Sequence, residues 1–261
     1  MPIIFLKLGG SLITDKSAPR TLRPEVLARL MAEIALARSA DTELRLVLGH
    51  GSGSFGHVEA KKYGTRSGVK TPEDWRGFAE VQQVAGLLNR LVLDLGRAAG
   101  LPLINFPPSA SVRARDAVVE SLATDPLRAA LDHGLVPLVF GDVGLDSVRG
   151  GTIVSTEDVF RYLAGVLRPE RILLAGIEPG VLTHWPGGEI IPEITPRTDF
   201  AHVSGSHAAD VTGGMAGKVS EMLQLVQAVP GCTVQIFSGE TPGLTRQALL
   251  GEKIAGTLLT S

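Results

Sequence analysis

Short apolar runs alternate with longer helical patterns along most of the chain. The runs Ile3–Leu8, Leu44–Leu48, Leu101–Asn105, Val136–Phe140, Arg171–Ala175, Thr233–Phe237 and Gly256–Thr260 are predicted strands. Several are nearly continuous in hydrophobicity, as expected where both faces of a strand are covered. Helices are predicted over Pro24–Ala37, Pro72–Ala99, Pro126–His133, Thr156–Leu167, Gly214–Ala228 and Pro242–Leu249. The first three and the last open with proline just inside the start, where a missing N–H costs nothing. This alternation predicts an α/β protein, a three-layer αβα sandwich with a mostly parallel central sheet. The stretch Pro186–Asp210, rich in Gly, Pro, Ser and His, is the least regular and suggests no more than a small hairpin plus a loop.

Composition narrows the function classes. The 261 residues are 44% hydrophobic and 20% charged, enough for a sizeable core in one domain or two joined lobes. A formal charge of −2 leaves no broad basic footprint for nucleic acid or an anionic membrane, so a bound anion needs a local cluster of cations and backbone amides. No run approaches the roughly 20 apolar residues that span a bilayer, and the start, Pro2 to Leu8, does not read as a signal peptide. A cytoplasmic protein is expected. The single cysteine, Cys232, abuts the apolar run Thr233–Phe237 and reads as a buried side chain without a thiolate-stabilising setting.

The candidate chemistry sits in three glycine-rich loops. Lys7-Leu8-Gly9-Gly10-Ser11 ends the first strand, and Gly49-His50-Gly51-Ser52-Gly53-Ser54-Phe55-Gly56-His57 ends the second. Asp210-Val211-Thr212-Gly213-Gly214-Met215 leads into a helix carrying Lys218. Ligands of open α/β sheets bind beyond the carboxyl ends of strands. Glycine there lets backbone N–H groups close on an anion, and a helix N-terminus adds its positive end. A single loop of this kind could be only a tight turn; three with nearby lysines point to phosphate.

Gly51-x-Gly53-x-x-Gly56 also matches the dinucleotide-binding fingerprint. That motif requires an acid ending the next strand about 20 residues on. Here the segment from Glu59 to Ala99 is charged and then helical, and Glu73 and Asp74 open a helix instead. An NAD-dependent oxidoreductase is therefore the weaker reading. The P-loop pattern Gly-x4-Gly-Lys-Ser/Thr is absent.

In order along the chain, Lys7–Ser11 with Lys16, the Gly49–His57 loop, Gly141-Asp142 and Asp210–Met215 with Lys218 resemble the amino-acid-kinase superfamily, and within it the isopentenyl phosphate kinases. The resemblance runs from Lys7 to about Gly239. It implies an amino-acid-kinase fold, with an acceptor lobe over about residues 1–165 and a nucleotide lobe over about 166–261. It also implies ATP as phosphoryl donor, Mg²⁺ carried mainly by the ATP phosphates, isopentenyl phosphate as acceptor, and a homodimer.

By the same resemblance, ATP would be held by Lys7, Gly9, Gly10, Ser11, Gly53, Gly176, Gly213, Gly214 and Lys218. Acceptor contacts fall to Gly51, Ser52, Gly53, His57, Asp142, Val143, Ile153 and Thr156. Lys7, Lys16 and Lys218 supply the positive charge that two phosphates need. Asp158 matches the aspartate that orients the lysines, although an acid in the first turn of a helix also complements the helix dipole. His57 matches the ligand of the acceptor phosphate, while His50 reads as structural. His202 and His207 lack a third partner for zinc. Asp142 and Asp210 are weak candidates for a carboxylate near Mg²⁺.

An alkenyl tail requires an apolar pocket, for which Val143, Ile153 and the helix bearing Phe78 and Val81 are placed by position. Where many members carry Thr-Asp-Val-Asp-Gly-Val, this chain has Gly176-Ile177-Glu178-Pro179-Gly180-Val181, which puts the adenine and ribose contacts there in question. A fosfomycin-type phosphonate kinase, a carboxylate kinase and a non-catalytic ligand-sensing module are the other readings. The sensor has no use for Lys7, Lys16, Lys218 and Asp158 together.

Overall fold

A computed structural model describes residues 2–198 and 214–261, apart from the side chains of residues 57–59 and 61. The first run forms β1 (Ile3–Leu8), buried throughout, followed by the short helix α1 (Gly10–Ile13) and the hairpin β2 (Thr14–Asp15) and β3 (Thr21–Leu22). Next come α2 (Pro24–Ala40), β4 (Arg45–His50), α3 (Gly53–Tyr63) and the long α4 (Pro72–Ala98). The middle of the chain supplies β5 (Leu103–Asn105), β6 (Arg113–Arg115), β7 (Val118–Ser121), α5 (Asp125–Asp132) and β8 (Val136–Phe140). It continues with β9 (Asp142–Asp146), β10 (Gly150–Val154), α6 (Thr156–Leu167) and β11 (Arg171–Gly176). β12 (Glu193–Ile194), α7 (Gly214–Ala228), β13 (Thr233–Ser238), α8 (Leu244–Leu249) and β14 (Thr257–Leu259) complete it.

Eight strands form the main sheet in the order β12-β14-β13-β11-β1-β4-β8-β5. All neighbours are parallel except β13 and β14. Alternate residues of each strand feed opposite faces. Ile3 and Phe5 of β1 join α5, α6 and α7 in one core, while Ile4, Leu6 and Leu8 join α2, α4 and α8 in the other. The expected αβα sandwich is present, and its sheet runs without a break across residue 165.

Three features depart from the pattern reading. The helix α3 (Gly53–Tyr63) is not predicted by the pattern: it stops at Gly64 (φ 59°), a 3-10 turn spans Thr65–Ser67, and the expected helix from Pro72 opens as α4 at a capping box between Thr71 and Asp74. A second sheet, β10-β9-β6-β7, covers the far end of the cleft. Its short strands carry Arg, Asp and Gly, so no apolar run announces them. Buried Asp146 organises that sheet by accepting the N–H groups of Asp116, Ala117, Val148 and Arg149. Finally, α8 begins at Leu244, after Gly243 (φ 83°), so Pro242 precedes the helix and does not open it. Of the irregular stretch, residues 182–190 form a small turn closed by the Leu182–Ile190 bridge.

Candidate active site

Three parallel strands end side by side where the glycine loops begin. Gly9 N–H donates to Ala175 O at 2.8 Å, Gly51 N–H to Leu8 O at 2.9 Å, and Gly239 N–H to Gly176 O at 2.8 Å. The first two loops then touch backbone to backbone. A Cβ on Gly10 would lie 2.3 Å from Gly53 N, and one on Gly51 would lie 2.8 Å from Gly10 N. Any side chain at these positions would force the loops apart, so glycine is a packing requirement here. Gly53 sits at φ 48° and opens α3, whose N-terminus faces the same cleft. Thr14 ties the two loops together: its hydroxyl donates to Gly10 O at 2.7 Å and accepts from Ser54 N–H at 2.9 Å.

Lys7 is the penultimate residue of β1 and is buried on the α6 side of the sheet. Its register partner is Gly49. A Cβ at Gly49 would press to 2.8 Å from both Thr156 and Phe160, so the missing side chain lets α6 descend onto the sheet. That descent brings Glu157 to Lys7, whose Nζ donates to Glu157 Oε1. Burial alone would raise the Glu157 carboxyl, but the charges of Lys7 and Lys218 overcome it and hold the group down to about 2. Lys7 is thus paired directly with Glu157, and Lys218, 211 positions away in sequence, lies near enough for its charge to act on the same carboxylate.

That carboxylate is not the predicted one. Asp158 turns back to the start of α6, where its Oδ2 accepts the Ser155 N–H at 2.9 Å and the Ser155 hydroxyl at 2.7 Å. Its other oxygen takes Arg161 at 2.6 Å. Asp158 is a capping residue, and Glu157 is the group that pairs with Lys7. The spacing Ser155-x-x-Asp158 is a capping-box signal, and it could have assigned Asp158 and freed Glu157. Thr156 and Asp142 are also already engaged: the Thr156 hydroxyl donates to His50 O at 2.6 Å. Asp142 accepts from Ser109 N–H at 3.1 Å and Val143 N–H at 2.8 Å, with burial pushing its carboxyl above the ordinary range. Both position backbone around the cleft.

Val143 and Ile153 pair directly across β9 and β10, which puts them on one face. Gly151, two residues before Ile153 on that same face, points at Phe78 of α4 and Val69. Val143, Ile153, Phe78 and Val69 thus lie on one apolar face of the second sheet. Lys16 occupies the exposed turn between β2 and β3. That hairpin is held to the start of α3 by Arg20 N–H to Ser54 O at 3.1 Å and Thr21 N–H to Ser54 Oγ at 3.1 Å. The His57 side chain, Gly213, Asp210, His202 and His207 lie outside the described residues. Ser11 opens α1 beside Gly10, Gly176 closes β11, and Gly214 opens α7 at φ 68°. Buried Cys232 has its thiol pushed up to about 12 and is no nucleophile. Among the described residues no group of three His, Cys, Asp or Glu side chains could cage a metal.

A parallel sheet whose strand ends carry touching glycine turns, with Lys7 paired to a buried carboxylate beside them, is the arrangement of an α/β kinase. The chain belongs to the amino acid kinase family, whose model matches residues 2–238. Its relatives include the isopentenyl phosphate kinase of Methanothermobacter thermautotrophicus, 35% identical over 99% of both chains. That of Haloferax volcanii is 38% identical over 93% of this chain and 98% of its own. Among solved structures, one described as an isopentenyl phosphate kinase superposes with a TM-score of 0.84 at 33% identity, covering 99% of this chain and 100% of the other. A substrate complex of an isopentenyl phosphate kinase gives 0.78 at 26% identity, covering 98% and 100%. No helix among the described residues is long and apolar enough to cross a membrane.

Proposed function

We propose that the chain transfers the γ-phosphoryl group of ATP to the phosphate of isopentenyl phosphate, giving isopentenyl diphosphate and ADP. An acceptor oxygen attacks the γ-phosphorus as the bond to the ADP oxygen breaks, and no covalent enzyme intermediate is needed. The observation that carries this reading is Lys7 paired with buried Glu157 beside amide-lined glycine turns, with the charge of Lys218 acting on the same carboxylate. Two anions repel unless cations converge on them, and Lys7 and Lys218 supply that charge in this reading.

In this reading, ATP lies over Gly9, Gly10, Ser11, Gly176 and the start of α7, in a lobe from about residue 166, with Gly53 at the meeting point of the phosphates. The acceptor phosphate sits on Gly51, Ser52 and His57, in a lobe ending near residue 165, and its tail lies against Val143 and Ile153. Lys16 reaches in from the β2–β3 turn, Gly213 and Lys218 serve the nucleotide, and Mg²⁺ rides on the nucleotide phosphates. A homodimer in the cytoplasm completes the proposal. The test is ADP release with isopentenyl phosphate, dimethylallyl phosphate, fosfomycin, glutamate or UMP as acceptor. Isopentenyl phosphate is expected to support the highest kcat/KM. Turnover with glutamate or fosfomycin alone would contradict the proposal.

A further inference from the structure

His50 ends β4 and is only 1% exposed, stacked parallel on Phe140 of the neighbouring strand with ring centres 5.4 Å apart. Its Nδ1 lies 3.1 Å from the carbonyl oxygen of Gly51, and its Nε2 lies 3.2 Å from the side-chain amide of Asn89. Asn89 is itself 2% exposed on α4, and its amide lies 2.9 Å from that of Asn105 at the end of β5. These contacts form a buried polar chain between the middle of a long helix and the second glycine loop.

The chain has a direction. A carbonyl oxygen can only accept, so Nδ1 must carry a proton to meet Gly51. Burial, aided by the charge of Lys7, lowers the ring's pKa to about 4 against hydrogen bonds that favour its charged form, so near neutral pH the ring holds one proton. Nε2 is then a lone pair that needs a donor. As placed, Asn89 turns its Oδ1 to Nε2 and donates its Nδ2 to Asn105 Oδ1; with the amide turned about, its NH₂ donates to the ring and its oxygen faces Asn105. The two ends of a side-chain amide are told apart by such a network. Asn105 is exposed and can present its own NH₂ to close the chain.

We propose that His50 is a positioning residue: the relay from Asn105 through Asn89 and His50 to Gly51 O fixes the Gly51–Ser52 peptide so that its N–H faces the acceptor phosphate. In a planar trans peptide the C=O and N–H point in opposite directions. The Gly51 carbonyl is drawn toward His50 on the α4 side, so the Ser52 N–H is turned the opposite way, away from α4. Gly51 has no side chain to resist this, and Gly10 packs against it from the first loop. The ligand class is a phosphate monoester, and the assignment of that ligand rests on the acceptor site proposed above.

Two measurements test it. Two-bond ¹H–¹⁵N correlation spectra of the full chain read the tautomer of His50: a protonated Nδ1 and an unprotonated Nε2 are expected, and the reverse overturns the proposal. Kinetics supply the functional arm. His50→Leu should raise the acceptor KM about tenfold, the worth of one well-placed hydrogen bond, and leave the ATP KM within about twofold. His50→Asn carries an amide N–H near the position of Nδ1 and should bring the acceptor KM back to within about threefold of the parent. Equal rises in both KM values, or an Asn variant no better than Leu, would overturn it. If the parent protein turns over no isopentenyl phosphate, the functional reading falls, while the tautomer spectrum still decides the relay.

Discussion

Lys7 lies against Glu157 inside the sheet, and the charges of Lys7 and Lys218 keep Glu157 ionised despite its burial. Lys7→Ala and Lys218→Ala should each lower kcat by about a hundredfold to a thousandfold, as the loss of one positioned charge does elsewhere. Glu157→Gln keeps the volume but frees the lysines, and should lower kcat while the fold survives in circular dichroism. Asp158→Ala should instead cost about 1 kcal/mol of stability in urea titrations through the lost cap and change kcat far less. An Asp158 variant as damaged in kcat as the Glu157 variant would reverse this assignment.

Two residues also give the stability a pH dependence. His50 is held to about 4, below its ordinary 6.5, by burial, so the folded state favours the neutral ring. That contribution is complete above pH 6.5 and is lost as pH falls toward 4. Glu157, held to about 2 from 4.5, contributes fully above pH 4.5 and is lost below it, toward 2. Thermal melts should therefore show Tm falling in two stages on acidification. His50→Asn should flatten the stage between pH 6.5 and 4; an unchanged slope there would contradict the account.

At the scale of elements, the glycine turns are set by contact and by backbone angle. A side chain at Gly53 would need a positive φ and would place Cβ 1.9 Å from Thr14 Oγ1. Gly64 also has a positive φ but faces open space. Gly53→Ala should thus lose about 1–3 kcal/mol in chemical denaturation and weaken acceptor binding, while Gly64→Ala loses only about 1 kcal/mol. The β9–β10 wall carries a further expectation. Ile153→Ala should raise the KM for isopentenyl phosphate about tenfold, the worth of a few methylenes, and leave that for methyl phosphate, which has no tail, unchanged.

Elements were readable in the sequence in proportion to how local their signals are. β1, β8 and α6 stand where their apolar periods place them, because each is bounded by glycine, proline or a capping residue. The second sheet was not readable. β6 and β9 are short, carry Arg and Asp, and owe their form to Asp146 and to each other. Glu157 escaped for a related reason: its partner Lys7 is 150 positions away, and only the side-chain-free Gly49 lets α6 approach that strand.

At the scale of the whole molecule, the parallel sheet gathers loops from distant parts of the chain at one edge, and side-chain ties hold them there. Arg23, at the start of α2, grips Glu240 with both ends of its guanidinium at 2.5 and 3.2 Å and also donates to Leu12 O at 3.1 Å. Arg29 donates to Gly239 O at 2.6 Å, so the loop after β13 is fastened beside the first glycine turn. The order of the glycine motifs made this gathering readable before any coordinates, since parallel strands share one loop-bearing end. The ties themselves were not, because an arginine on a helix has no sequence mark that names its partner 217 positions on.

The central claim is that converging lysines let one phosphate receive a phosphoryl group from another. ³¹P NMR of the protein with ATP and isopentenyl phosphate tests it most directly. The acceptor's single resonance should give way to the two coupled resonances of a diphosphate, in step with ADP, and Lys7→Ala should slow the change by about a hundredfold or more. An acceptor resonance left intact while inorganic phosphate accumulates would contradict the account.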